Sequence, residues 1–126
     1  MRNSIRILSA LLILGFAANI ANAAESKAVQ TMAGILTNIK HMPSAADKEA
    51  LTKIAADKAT TADERTVAHA LMNVQHMVGA ADKPGLEAIE SDAKASSGVK
   101  TLAGVILTLK HFPSAADKEK LMALSK

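Results

Sequence analysis

Lys40-His41-Met42-Pro43-Ser44-Ala45-Ala46-Asp47-Lys48-Glu49-Ala50-Leu51 is the stretch whose reading decides the fold. It returns as Gln75-His76-Met77-Val78-Gly79-Ala80-Ala81-Asp82-Lys83-Pro84-Gly85-Leu86, and again as Lys110-His111-Phe112-Pro113-Ser114-Ala115-Ala116-Asp117-Lys118-Glu119-Lys120-Leu121. The offset is 35 residues both times, from 41 to 76 and from 76 to 111. A fixed period of this size marks an array of helical hairpins, each too small to bury its apolar face alone.

Working outward, three units follow: 27–61, 62–96 and 97–126. Each reads as helix, turn, helix. Ser26, Thr61 and Ser96 share one repeat position and suit the N-cap of a first helix, where a side-chain oxygen accepts from an orphan backbone N–H. Thr61-Ala62-Asp63-Glu64 is also a capping-box pattern. Apolar residues then recur at helical spacing: Val29, Met32, Leu36 and Ile39; Val67, Leu71 and Val74; Val99, Leu102, Ile106 and Leu109. A second helix is expected from about Asp47, Asp82 and Asp117, whose charges suit the positive end of a helix dipole. Pro84 fits a first helical turn. Leu51 and Ile54, Leu86 and Ile89, and Leu121 and Leu124 are its apolar anchors. The expected fold is all-α: three tandem helix-turn-helix repeats and six helices, closed as a compact bundle or open as a short solenoid. The period lies near that of tetratricopeptide repeats, but the aromatic positions of that pattern are absent.

Residues 1–23 read as a signal peptide. Arg2 and Arg6 precede an apolar run, and Ala21-Asn22-Ala23 offers a small-x-small cleavage site. The run is shorter than the ~20 residues a spanning helix needs. The chain has no cysteine, so neither disulfides nor a lipid anchor on a processed cysteine is expected. These features predict a single domain at 24–126, periplasmic or secreted after cleavage near Ala23.

The whole chain carries 15 Lys+Arg against 12 Asp+Glu; without Arg2 and Arg6 the balance is 13 minus 12, or +1. No basic cluster points to nucleic acid. Phe112 is the one aromatic residue after position 23, which excludes a stacking platform for bases or sugars.

Histidine is the one candidate chemistry. His41, His76 and His111 share a repeat position, and His69 stands where the other units have Gly34 and Gly104. The simplest reading makes the three repeated histidines helix C-terminal residues, on the face opposite the apolar stripe, where a charged form suits the negative dipole end. Their alternative is a metal site for copper or zinc, with Met42 and Met77 as supporting thioethers. Such a site requires a closed bundle, because neighbouring helix axes stand ~8–10 Å apart in an open stack. Met42 and Met77 align with Phe112, which suggests a core position. Glycine inside a helix costs about 1 kcal/mol, so Gly34 and Gly104 suggest close backbone approach or space left for a neighbour; the His69 ring then fills part of the equivalent space or, as the simpler reading, stands exposed on a polar face.

No catalytic constellation is present: no cysteine nucleophile, no serine with a visible triad, no phosphate loop. The chain is therefore expected not to be an enzyme. The leading expectation is an exported protein-binding module of the bacterial envelope, an adaptor, inhibitor or chaperone-like protein. It would need no cofactor, and its partner would be another protein, contacted through Asn38, Asn73, Thr108 and His69. The alternatives are a periplasmic metal-binding or metal-buffering protein and a pH-responsive envelope stress protein.

Overall fold

A computed structural model describes residues 25–126; the expected signal peptide and its cleavage site lie outside the described residues. Within them are six α-helices: α1 Lys27–Asn38, α2 Ala45–Ala56, α3 Ala62–Met72, α4 Lys83–Ser91, α5 Ser97–Thr108 and α6 Ala115–Leu124. No helix among the described residues is long and apolar enough to cross a membrane.

The first helix of each pair begins where its hydroxyl residue predicts. The Ser26, Thr61 and Ser96 side chains accept from the backbone N–H groups of Val29, Glu64 and Val99. In α3 the box is closed, with the Thr61 N–H donating to Glu64 Oε1 at 2.9 Å. Glu64 is the one buried charged residue among the described residues, 5% exposed, and its second oxygen accepts from Ser26 Oγ at 2.5 Å. One carboxylate thus caps α3 and fastens its start to the start of α1.

The second helices start differently from expectation. α2 and α6 begin two residues before Asp47 and Asp117, because Ser44 and Ser114 are the N-caps and the aspartates occupy the third helical position. Ser44 and Asp47 form a reciprocal capping box. In the middle pair Gly79 replaces the serine, and α4 does not start until Lys83, with Pro84 in its first turn. Asp82 makes no side-chain cap there; its carboxylate accepts from the Asn73 amide at 3.2 Å.

Packing closes the chain on itself. α2 lies chiefly on α3, α4 on α5, and α6 returns to α1, while α1, α3 and α5 pack against one another inside. This is a compact bundle and not an open stack. Every apolar residue assigned above to the first helices is buried, and Leu51, Leu86 and Leu121 fill the same place in the second helices at 0% exposure. Each such leucine contributes roughly 1.5–3 kcal/mol through removal from water. Ile54 and Leu124 are only partly buried. Ala33, Ala68 and Ala103, spaced by 35, are also fully buried.

The close-approach idea fails at Gly34. A Cβ built there meets nothing within 4 Å, and at Gly104 it meets only the mobile end of the Glu90 side chain. His69 is exposed on α3 and fills no gap between helices.

Candidate metal centre

The three inner helices stop short of their histidines. α1 ends at Asn38, α3 at Met72 and α5 at Thr108. Ile39 and Leu109 already have extended backbone, with ψ of 138° and 131°. A helix continued through His41 would need an N–H from residue 43 for the Ile39 carbonyl, and Pro43 has none. Pro113 acts likewise after His111, and Val78 takes the equivalent place after His76. All three are buried, which pins the chain where it turns.

His41, His76 and His111 are therefore not helix C-terminal residues, and a helical wheel does not place them. Each has φ of 68°, and they are the only non-glycine residues with positive φ among the described residues. The Met42 N–H donates to the Lys40 carbonyl and the Phe112 N–H to the Lys110 carbonyl, both at 2.7 Å. Such i+2 to i bonds around a positive-φ centre define a γ-turn, a rare and strained conformation. In the middle unit the Gln75 N–H donates to the Met77 carbonyl at 3.2 Å.

A ring of backbone bonds holds these turns together. The His41 N–H donates to the His111 carbonyl (2.8 Å), the His76 N–H to the His41 carbonyl (2.6 Å), and the His111 N–H to the His76 carbonyl (2.6 Å). Each histidine uses its donor and its acceptor within the ring. Closure of the bundle is what makes this possible, since the bond from His41 to His111 joins residues 70 positions apart.

The side chains converge as well. The three Nδ1 atoms stand 3.1 Å apart along all three edges of a triangle. The rings are edge to face, with interplanar angles of 65°, 79° and 73°. All three residues are exposed, and no Asp or Glu joins the cluster among the described residues. The triangle cannot be satisfied by hydrogen bonds alone. A proton on one Nδ1 serves at most the two edges meeting there, and the third edge then sets two lone pairs against each other. A cation facing all three lone pairs removes the conflict.

The dimensions fit that cation. A triangle of 3.1 Å edges brings three nitrogens close enough to share one ion, and His41, His76 and His111 would hold a zinc-type ion as three neutral imidazoles, with room in its coordination shell for a further ligand. A trigonal-planar ion such as Cu(I) would need edges of about 3.5 Å at a ~2.0 Å bond length.

The other residues singled out by sequence lie apart from the triangle in their bonding. The Asn38 amide donates to the Gly34 carbonyl, the Asn73 amide to Asp82, and the Thr108 hydroxyl to the Gly104 carbonyl. Met42, Met77 and Phe112 are 46%, 54% and 61% exposed. The core reading of that position is thus overturned: the residue after each positive-φ histidine lies at the surface.

Comparison with protein-family models, with curated proteins and with solved structures returned no match.

Proposed function

We propose that this chain is a metal-binding protein whose site is the triangle of His41, His76 and His111 Nδ1 atoms. The observation that carries the reading is the convergence of three imidazole nitrogens at 3.1 Å on three strained turns. Strain of this kind costs about 1–3 kcal/mol per residue and persists where surrounding structure enforces it. Three copies of it, meeting at one point, support a built site over an accident of packing.

The donor set suits a borderline divalent ion, zinc(II) or copper(II). Zinc is the first choice on donor set, because four-coordinate zinc with three imidazoles keeps its fourth position open. Met42 and Met77 are proposed only as neighbours of the site; three imidazoles suffice for the tripod.

The surroundings favour exchange over permanent retention. Imidazole ligands in tightly held sites usually donate their second N–H to a carboxylate or carbonyl, which raises their basicity. Here the hydrogen bonds of the three rings among the described residues join them only to one another through Nδ1. A site organised by backbone but without such support fits buffering or delivery of an ion. The protein-binding reading relied on grooves between stacked hairpins, and the return of α6 to α1 gives it no comparable observation.

Calorimetric titration of the metal-free chain with zinc(II) and copper(II) tests the proposal. One ion per chain is expected, with binding abolished when His41, His76 or His111 is replaced by glycine. Binding that survives all three replacements would end it.

A further inference from the structure

Resting on that metal reading, we infer that the loaded centre takes a small organic carboxylate as an additional ligand, seated in the groove between the end of α1 and the start of α6. Charge is the first argument. Three neutral imidazoles leave the full charge of a divalent ion uncompensated, and no carboxylate of the described chain belongs to the cluster. An ion so held attracts an anion to its open position.

The groove supplies the second argument. It is a shallow depression open to solvent, of about 540 Å³, and Asn38, Ile39, Lys40, His41, Phe112 and Lys118 line it. His41 therefore belongs both to the nitrogen triangle and to the groove wall. Ion pairs among the described residues are Lys53 with Glu49 and Lys120 with Asp117; Lys40 and Lys118 are in neither. Two unpaired ammonium groups beside a cationic centre select an anion. The volume falls within the range of small-molecule sites, and such sites combine apolar walls with few charged groups.

Phe112 and Ile39 give the third argument. Phe112 is 61% exposed and is the one aromatic ring of the described chain. An apolar wall next to lysines suits a carboxylate with a planar or hydrocarbon body, where phosphate or chloride would leave the ring uncovered. The other two units place Met42 and Met77 at the Phe112 position, and Gln75 replaces Lys40 in one of them. The groove between α1 and α6 is thus the one that joins two lysines to a ring.

The test uses the full chain and benzoate, which does not chelate zinc and carries a planar apolar body. Calorimetry compares benzoate binding to zinc-loaded and metal-free protein, with acetate as the body-less control. Loaded protein should bind benzoate at least tenfold more tightly than metal-free protein. Lys40→Ala with Lys118→Ala should weaken it by roughly tenfold, as expected for lost charge-assisted contacts, while zinc stoichiometry stays at one. Phe112→Ala should erase the preference for benzoate over acetate. Equal binding with and without zinc, or indifference to the lysine pair, overturns the inference and leaves the metal reading standing. Failure to bind zinc at all overturns both.

Discussion

Replacing His76 by glycine and, separately, by alanine should give opposite stability orders depending on what residue 76 is. In the structure its φ is 68°, where a Cβ collides with the backbone at a cost of about 1–2 kcal/mol. Glycine removes that cost. It pays roughly 0.5–1 kcal/mol for the extra freedom of the unfolded chain. Alanine keeps the collision. Both variants lose the imidazole, and both keep the backbone bonds from residue 76 to His41 and from His111 to residue 76. The glycine variant should therefore exceed the alanine variant by about 1 kcal/mol. For a domain of this size that difference is roughly 4–8 °C in Tm. Circular dichroism melts in the presence of EDTA would measure it without a metal contribution. Were residue 76 the last turn of a helix, alanine would be the better by ~0.8–1 kcal/mol. An alanine variant as stable as the glycine variant, or more so, would refute the positive-φ turn at residue 76 and the ring built on it.

Gly34→Ala should raise stability by about 0.5–1 kcal/mol, because the position is helical and a Cβ there meets nothing within 4 Å; thermal melts check it. Ala68→Leu should destabilise by about 1–3 kcal/mol through overpacking between inner helices, readable as a lower urea midpoint. Zinc at 100 times its Kd should stabilise the wild-type chain by about 2.7 kcal/mol and leave the His76→Gly variant unmoved, as followed by Tm. Zinc affinity should fall as pH is lowered from neutral to acid, since protons compete for the ligating nitrogens, and chelator competition at each pH would show it.

Much of the framework is legible from local chemistry. The hydroxyl caps at Ser26, Thr61 and Ser96 and the apolar residues of the first helices act through near neighbours along the chain. The structure places them as that chemistry requires. Ser44 and Ser114, whose hydroxyls suit a turn or a cap, are N-caps of the same kind, three residues before Asp47 and Asp117. The γ-turns are different in kind. Positive φ at a histidine has no local cause; it is enforced by hydrogen bonds to histidines 35 and 70 residues away, which exist only once α6 has closed on α1. A helical wheel drawn past Asn38 therefore placed His41 on a face that does not exist. One signal was available: identical residues at a single position of three repeats must meet if the repeats close and the position lies near their common axis. The choice between closed bundle and open solenoid is thus also the choice between one cluster of three histidines and three separate surface histidines. Met42, Met77 and Phe112 lie exposed at the same turns, and an apolar residue type alone could not announce it.

The central claim is that one ion is held by three imidazoles, and X-ray absorption at the zinc edge of the loaded chain tests it most directly. The account predicts a nitrogen shell at ~2.0–2.1 Å with the outer-shell scattering of three imidazole rings and no sulfur. A shell with two imidazoles or fewer, or one containing methionine sulfur, would contradict it.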